Sequence, residues 1–454
     1  MNSASIPDQQ RSLDRRIFNA AFAVTGAALV VKLAATAKEV TVAGAFGRSD
    51  ALESFLAAAL IPGLLINLIS ESMNQALVPA LVRVKEREGR DSAQQLFSAS
   101  MLCNIVLLVA SSLVMALSAR YFFPLIASHF SGDKLNLAVR LFYGLLPAVI
   151  LSGIASNFAA VLNIEGRFTM PALAPIATPL SIMVSISLFS GMVGVWAMVH
   201  ATVIGSFISV LWMGRMLKAS GYRAAPRWYG MTESTREVAA QYGAVLLSGL
   251  VASGGLLVDQ SMAAVLPAGS VSALAYAGRF VSVALVLLGG AASSAAAPLF
   301  SEMVARNDWS GCRRALHKWA IASAVVSTFI AGAMILAAHL LVRLTFQHGA
   351  FGAKDTSAVS RVLIMYAVQI PFFVSSRIFY RFLLAMRRAD LVFYCGLLNL
   401  VLDVALNLVL MRWMGVAGIA LATSLWTVST LVFLCYWSWK VLPGGSDVLP
   451  NLRG

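Results

Sequence analysis

Two lysines stand in the first long apolar segment of the sequence, where an ammonium group is costly. Lys32 and Lys38 lie within FNAAFAVTGAALVVKLAATAKEVTVAGAF, and Glu39 follows directly. A lysine at the centre of a bilayer costs about 2.5–3.5 kcal/mol on insertion scales. Lys32 and Glu39 are seven residues apart and share a helix face, although Lys38 and Glu39 could also snorkel to water from the segment's end. These residue types predict a polar face that holds an anionic group inside a membrane.

A second polar face is predicted in the next apolar segment. Asn67, Glu71, Asn74 and Gln75 follow the i, i+4, i+7, i+8 spacing of one side of an α-helix. Such a row either lines a cavity or forms hydrogen bonds between helices. Glu71 and Asn67 are the candidates for a cavity lining.

Further charged residues lie in later apolar segments. Asp259 and Arg279 flank the short turn at Pro267–Ser270 and either bind each other or act separately. An arginine can bind phosphate through two parallel hydrogen bonds, so Arg279 and also Arg377 are candidate anion ligands.

A row of carboxylate and amide side chains follows near the end of the chain. Asn399, Asp403 and Asn407 are spaced i, i+4, i+8, so they share a helix face. A carboxylate between two amides could bind a proton or Na⁺, or join two helices. With Asp259, these residues form the candidate set for ion coupling.

The elements that position these residues are predicted to be membrane helices. The 454 residues are 59% hydrophobic and 12% charged, with a mean hydropathy of +0.80. Apolar runs of 18 or more residues recur, and they are continuous rather than alternating, which favours helices over a β-barrel. The polar start Met1–Asp14 predicts that no cleavable signal peptide is present. Twelve spans are expected near 17–43, 51–80, 96–119, 137–163, 171–192, 195–217, 238–266, 271–300, 315–342, 358–384, 391–411 and 416–440.

The placement of Lys and Arg predicts the orientation. Twenty-two of these cations lie in the two termini and in the loops that follow spans 2, 4, 6, 8 and 10. Eight lie in the loops that follow the odd-numbered spans. The positive-inside rule therefore predicts a multi-pass membrane protein with both termini in the cytoplasm. The net charge of +14 then reflects topology rather than nucleic acid binding, and the basic rim should attract anionic membrane lipids.

The sequence repeats weakly at an offset of about 221–224 residues. LFYGLLPAVILSG resembles LIMYAVQIPFFVSSR, GVWAMVHAT resembles GVAGIALAT, and QALVPALVRV resembles AAAPLFSEMV. This spacing predicts two parallel six-helix bundles around a central cavity. The predicted divisions are a tail at 1–16, bundles at 17–217 and 238–440 with a basic linker at 218–237 between them, and a tail at 441–454.

Catalytic and metal chemistry have no motif here. The four cysteines lack paired spacing, the five histidines are scattered, and no phosphate-binding glycine loop is present. The prediction is a protein that is not an enzyme and has no catalytic residues, metal site or organic cofactor.

At four places the residues resemble the MviN/MurJ family of lipid II flippases, within the multidrug/oligosaccharidyl-lipid/polysaccharide exporter superfamily. The matching segments are AKEVTVAGAFGRSDALESF, IPGLLINLISESMNQALVPAL, AGSVSALAYAGRF and RLTFQHGAFGAKDTSAVSRVL. The resemblance implies transport of an undecaprenyl-pyrophosphate-linked saccharide to the outer leaflet by alternating access. Its expected partners are this lipid-linked saccharide pyrophosphate, membrane lipids and enzymes of cell-envelope glycan synthesis. By the resemblance, Lys32, Lys38 and Arg279 would face the pyrophosphate.

Departures from the family pattern leave other functions open. Ile66 and Asn67 stand where the family has paired arginines, Gly278 replaces an acid, and twelve spans are expected rather than fourteen. Peptidoglycan precursor transport is the leading hypothesis. The alternatives are export of an exopolysaccharide or O-antigen unit, a drug/cation antiporter of the same superfamily, and a non-transporting scaffold for glycan synthesis.

Overall fold

A computed structural model describes residues 6–127, 130 and 132–442 of the chain, and it describes side chains from residue 26 onwards apart from 71, 244, 248, 251 and 252. Residues 1–5 of the first predicted tail and residues 443–454 of the second therefore lie outside the described residues, and the rest of the first tail belongs to α1. Every regular element in the described part is a helix. The elements are α1 (Ile6–Phe46), α2 (Asp50–Leu65), a π-helical turn (Ile66–Glu71), α3 (Ser72–Glu88), α4 (Arg90–Ile126), α5 (Gly132–Ile164), α6 (Thr169–Leu173), a 3₁₀ turn (Ala174–Ile176), α7 (Ala177–Val193), α8 (Trp196–Ala219), α9 (Glu233–Val265), α10 (Ser270–Ala305), α11 (Trp309–Leu336), α12 (Ala338–Phe346), α13 (Ala353–Ala367), α14 (Gln369–Ala385), α15 (Ala389–Met414) and α16 (Val416–Val441).

Ten helical stretches in the described residues are long and apolar enough to cross a membrane. The other two predicted spans coincide with α1 and α9, which have 41 and 33 residues. Large apolar side chains on these helices are exposed, among them Met192, Leu336 and Trp413, as expected where lipid replaces water. The prediction of an all-α polytopic membrane protein is confirmed. One predicted span, 315–342, is interrupted, because the helix ends at Leu336 and α12 begins at Ala338.

Turns with left-handed backbone recur along the chain at the spacing of the sequence repeat. Gly194, between α7 and α8, has φ 57° and ψ −136°, and Gly415, between α15 and α16, has φ 58° and ψ −135°. Only glycine adopts such a conformation without strain. Positive φ also recurs at three other pairs, Gly47 with Gly269, Gly89 with Asn307, and Gly166 with Arg387.

The chain divides into two compact units. Unit 1 comprises Met1–Phe46, Ser54–Pro124 and Ser131–Leu250, and unit 2 comprises Gly47–Glu53, Leu125–Phe130 and Val251–Gly454. The division falls inside α9, because the first half of this helix packs against unit 1 through Val238. The predicted bundle boundaries at 217 and 238 remain a prediction.

Each unit has its own apolar core. In unit 1, Leu77, Leu81 and Phe97 are fully buried, and Phe97 packs 6.4 Å from Phe158 between ring centroids. α1 packs in this unit against α6 and α7, and α5 packs against α8. In unit 2, α10, α11 and α16 pack around α14, and an equivalent core contains the edge-to-face pair Phe300 and Phe382. These cores hold the polar residues described next in fixed positions.

Candidate functional sites within the two units

The lysines of α1 differ in how their charges are compensated. Lys38 Nζ lies 2.7 Å from Glu39 Oε1, and the two side chains are 16% and 9% exposed. Lys32, two turns earlier, is half-buried, and its carbonyl accepts a hydrogen bond from Thr36 Oγ1 at 2.9 Å. The burial of the Lys38–Glu39 pair within unit 1 matches the predicted polar face better than snorkelling into water. Within the predicted span 17–43 of α1, two lysines against one glutamate leave a net positive charge that can attract an anion.

The polar row after α2 begins in a π-helical turn. Residues Ile66–Glu71 form a π-helical turn, and the extra residue in this turn breaks the 3.6-residue period. Asn67 is exposed, whereas Asn74 Nδ2 donates to the Ser156 carbonyl oxygen at 3.2 Å. Asn74 therefore forms an interhelical hydrogen bond, one of the two roles that the spacing predicts, and the cavity lining by Asn67 stays a prediction. The side chain of Glu71 lies outside the described residues, so its predicted role stays a prediction.

Asp259 and Arg279 have different environments in unit 2. Arg279 is exposed on α10, and Asp259 on α9 is 7% exposed. Asp259 Oδ1 accepts from Asn407 Nδ2 at 2.8 Å, and its Oδ2 accepts from Thr423 Oγ1 at 3.1 Å. These bonds join Asp259 to α15 and α16.

Two buried carboxylates share one amide donor in unit 2. Asn407 Nδ2 donates to Asp403 Oδ1 at 3.1 Å as well as to Asp259, and both Asp403 and Asn407 are almost fully buried. A Cβ at Gly255 would lie 3.3 Å from Asp403 Oδ2, so the glycine admits this oxygen close to the α9 backbone. The structure thus brings together three of the four predicted ion-coupling residues. We refer to Asp259, Asp403, Asn407 and Thr423 as the carboxylate cluster.

A cavity of about 390 Å³ opens beside the carboxylate cluster. Its lining includes Asp259, Asp403 and Thr423, together with Asn399 one turn before Asp403. Within the part of the chain that the structure describes, Asp403 Oδ2, Asn399 Oδ1 and Asn407 Oδ1 are buried without a hydrogen-bond donor. A buried oxygen of this kind needs a partner, which can be a hydrogen-bond donor such as water, a proton or a cation.

The donor types limit which ion could bind. Carboxylate, amide and hydroxyl oxygens suit hard cations rather than soft transition metals. No group of three or more His, Cys, Asp or Glu residues that could hold a metal ion occurs among the described residues. Sequence reasoning missed Thr423, because its spacing to Asp259 and Asp403 carries no periodic signal.

Arg377 on α14 is held by aromatic rings. Its guanidinium carbon lies 4.1 Å from the Phe373 ring centroid and 5.6 Å from that of Tyr380. It lines a cavity of about 190 Å³ that Asn399 and Trp426 also line. Stacking on rings keeps a guanidinium in place with its edge free to bind other groups.

Comparison with known proteins agrees with this geometry. The family model described as "Lipid II flippase MurJ" matches residues 42–447. The chain belongs to the MurJ family of lipid II flippases. The family resemblance inferred from the sequence is thereby confirmed, and the chain is a multi-pass membrane protein of that family.

Two curated MurJ proteins illustrate the extent of the similarity. Lipid II flippase MurJ of Burkholderia cenocepacia is 26% identical over 367 residues, covering 78% of this chain and 70% of that protein. Probable lipid II flippase MurJ of Bdellovibrio bacteriovorus is 25% identical over 449 residues, covering 95% and 83%. The similarity to MurJ therefore spans both predicted bundles.

Solved structures support the fold alone. A lipid II flippase MurJ in an inward closed conformation superposes with a TM-score of 0.78 at 20% identity, covering 92% of this chain and 88% of that one. An inward-facing multidrug resistance MATE transporter gives 0.79 at 13% identity, with coverage of 91% and 94%. The fold is thus shared with these two transporters, and the roles of individual residues of this chain remain predictions.

Proposed function

We propose that this protein moves lipid II, a polyprenyl-pyrophosphate-linked saccharide, from the cytoplasmic to the outer leaflet of the bacterial inner membrane. The observation that carries the proposal is the net positive charge of α1 inside a membrane segment, in a chain of the lipid II flippase MurJ family. A pyrophosphate is the anionic part of such a cargo, and an intramembrane cation lowers the free energy of bringing it into a site of low dielectric.

In this proposal the lysines and arginines bind the headgroup while the polyprenyl tail stays in lipid. Lys32, Lys38 and Arg279 are the proposed pyrophosphate ligands, and Arg377 is an additional cation for the headgroup. Release of Lys38 from Glu39 would make its ammonium available to the anion. No covalent bond of the cargo is made or broken, so the protein acts by alternating access and not as an enzyme.

An exopolysaccharide or O-antigen unit is the second candidate cargo. Its support is Asn67, an exposed neutral side chain on the π-helical turn where the family has arginine. Fewer cations suit a headgroup with less negative charge. Transport of the two lipid-linked substrates by the purified protein, compared side by side, distinguishes these cargoes.

We further propose that Na⁺ or a proton binds the carboxylate cluster and drives the return step. Two buried carboxylates with a common amide donor repel each other unless a cation or proton neutralises them. Neutralisation would favour the packed arrangement of α9, α15 and α16. The ion therefore couples to the conformation of unit 2.

Outward exposure of lipid II tests the leading proposal. Lys32→Ala should reduce exposure of lipid II at the outer face by tenfold or more, because the cost of an unneutralised pyrophosphate in the membrane exceeds about 1.4 kcal/mol. Lys32→Arg should retain most of the activity. Lys318→Ala, which removes an exposed lysine of α11, is the matched control and should leave exposure unchanged. Normal exposure with a stably expressed Lys32→Ala protein would refute the assigned role.

A further inference from the structure

The linker between α8 and α9 is attached to α4 by paired hydrogen bonds. Gln94 Nε2 donates to the Arg223 carbonyl oxygen at 3.0 Å, and the Arg223 backbone N–H donates to Gln94 Oε1 at 2.8 Å. Next to it, Tyr222 is 2% exposed, and its ring packs edge-on against Phe97 at 6.5 Å between centroids. These contacts hold the linker in one place on unit 1.

The same attachment positions Arg90. Its guanidinium carbon lies 4.8 Å from the Tyr222 ring centroid. Gly221 has φ +77°, and a Cβ there would approach Arg90 Nη2 to 2.8 Å, so a larger residue would displace the guanidinium. Burial, together with the neighbouring Glu165 carboxylate, raises the pKa of Tyr222 to about 12. The ring therefore stays neutral beneath Arg90 at physiological pH.

Glu165 belongs to the support of this arrangement. Its carboxylate accepts a hydrogen bond from Lys85 Nζ at 2.8 Å. Burial by itself raises the pKa of Glu165. The opposite effect is larger and comes from the hydrogen bonds of Lys85 and Tyr222 and the positive charge of Arg90. The pKa of Glu165 therefore lies below its ordinary value. The neighbouring acid is thus already compensated by Lys85.

A cavity of about 470 Å³ lies over this support in unit 1. Three arginines line it, Arg90, Arg223 and Arg227, against one carboxylate, Asp91. Gln95 and Tyr229 also line it. Planar guanidinium groups bind phosphate through paired hydrogen bonds. Several such groups around one cavity favour the binding of an anion.

The residues that follow Arg227 point to a lipid as the source of that anion. Trp228, Tyr229 and Met231 are 49%, 45% and 66% exposed. Aromatic side chains next to arginines are typical of segments that lie in the membrane interface. The linker begins where the candidate span α8 ends at Ala219, so it lies at the membrane surface, on the side predicted to be cytoplasmic.

We propose that the cavity formed by Arg90, Arg223 and Arg227 binds the phosphate of an anionic lipid headgroup, with Trp228 and Met231 in the adjacent lipid. This site is separate from the α1 and α10 cations and does not depend on the proposed transport function. Soluble phosphates share the headgroup chemistry, but they gain nothing from the exposed apolar side chains.

Binding of phosphatidylglycerol to the purified full-length protein tests the proposal. The measurement is titration of a fluorescent phosphatidylglycerol into protein held in phosphatidylcholine nanodiscs, with inorganic phosphate and glycerol 3-phosphate as competitors. The test variant is Arg223→Gln/Arg227→Gln. The matched control is Arg313→Gln/Arg314→Gln, which removes two exposed arginines from α11, also on the side predicted to be cytoplasmic.

The linker variant should bind phosphatidylglycerol about 30-fold more weakly, since each basic residue near an anionic lipid contributes about 1 kcal/mol and tenfold corresponds to about 1.4 kcal/mol. The control should change less than threefold, and soluble phosphates should not displace the lipid at comparable concentrations. Equal weakening in both variants would overturn the site in favour of a general effect of surface charge. Displacement by glycerol 3-phosphate at lipid-like concentrations would overturn the lipid assignment.

A single substitution keeps the test informative if the double variant does not fold. Arg227→Gln leaves the Gln94–Arg223 hydrogen bonds in place and should weaken lipid binding about fivefold. Trp228→Ala should weaken binding of phosphatidylglycerol but leave any binding of glycerol 3-phosphate unchanged. Unchanged lipid binding in both single variants would overturn the proposal.

Discussion

At the level of single residues, the polar groups inside the membrane segments fall into compensated and uncompensated sets. Lys38 and Glu39 compensate each other at 2.7 Å, whereas Asp259 and Asp403 share one amide donor and leave oxygens without donors among the described residues. Breaking the first set exposes a cation, and completing the second needs an added positive charge. This difference is why we assign pyrophosphate binding to α1 and ion binding to α9, α15 and α16.

Asp403→Asn should abolish the response of stability to the coupling ion. Wild-type protein should gain thermal stability on adding NaCl in place of choline chloride, because a ligand that binds only the folded state stabilises it by about 2.7 kcal/mol at one hundred times its Kd. The variant lacks one of the two carboxylates and should not respond. Thermal unfolding in detergent at constant ionic strength measures this effect.

Asp390→Asn is the control for this experiment, since Asp390 lies on the same helix but is paired with Arg388 at 2.8 Å. It should keep the wild-type response to Na⁺. A response to pH with none to Na⁺ in the wild type would identify the proton as the ion. An Asp403→Asn protein that still responds like the wild type would contradict the site.

At the level of elements, the helix-joining turns carry the clearest trace of the repeat. Gly194 and Gly415 have nearly identical backbone angles. Two of the three other turn pairs have a non-glycine residue in one copy, Asn307 and Arg387. The repeat is therefore conserved in backbone geometry where a tight reversal between two helices requires it.

Gly194→Ala and Gly415→Ala should each destabilise the protein by about 1–3 kcal/mol. A Cβ at either position would have open space around it, so the cost is backbone strain rather than a clash. The midpoint of thermal unfolding measures it. Gly191→Ala is the control, because Gly191 lies in α7 with open space around it, and alanine favours a helix over glycine by about 1 kcal/mol. Equal destabilisation by all three substitutions would show that strain at the turns is not the cause.

The turn between α1 and α2 is a second element with a specific structural role. Tyr276 Oη donates to the Gly47 carbonyl oxygen at 2.9 Å, and Glu53 Oε1 accepts from the Val271 N–H at 2.9 Å. Arg48 Nε donates to the Gly269 carbonyl oxygen at 2.9 Å. A segment that connects two helices of unit 1 thus packs within unit 2.

Tyr276→Phe should lower the free energy of unfolding by about 1–3 kcal/mol, because it leaves the buried Gly47 carbonyl without its donor. Tyr143→Phe provides the comparison, since Tyr143 Oη also donates to a backbone carbonyl, that of Ala116 at 3.1 Å, but at an exposed site. Ala116 lies inside α4, where its carbonyl also accepts the helical hydrogen bond, so the expected change is below about 0.5 kcal/mol. Denaturant or thermal unfolding of both variants checks the difference, and equal effects would contradict it.

At the level of the whole molecule, two units with separate cores carry separate charged groups. Unit 1 contains the α1 lysines and the basic linker, and unit 2 contains Arg279 and the carboxylate cluster. Cations are in excess in the termini and in the loops that follow even-numbered spans. This excess predicts an orientation with both termini in the cytoplasm.

Cysteine labelling from outside the cell tests that direction. In a cysteine-free background, Lys354→Cys should react with a membrane-impermeant maleimide in intact spheroplasts, and Ser310→Cys should react only after lysis. Both positions are exposed. A difference in labelling between them therefore reports on which side of the membrane each cysteine lies. The opposite pattern would reverse the topology derived from the Lys and Arg distribution.

The sequence by itself determined the membrane class, the approximate positions of most spans, the repeat and the charged residues within apolar segments, although the predicted span 315–342 is interrupted between Leu336 and Ala338. Each of these depends on local composition or on spacing along the chain, which the sequence states directly. Lys32, Asp259 and Asp403 were therefore identifiable without coordinates. The role of Asn67 stays a prediction, and the sequence did not reveal the π-helical turn that contains this residue.

Only the tertiary structure decided which polar groups meet. Thr423 joins Asp259, and Gly255 lets Asp403 approach α9, although neither residue has a periodic relation to its partner. The linker cavity likewise combines Arg90 with Arg223 and Arg227 from a segment more than 130 positions later. Membrane helices are apolar on most sides, because lipid is as apolar as the core. Their composition consequently does not encode the rotation of each helix, and the packing of side chains sets it.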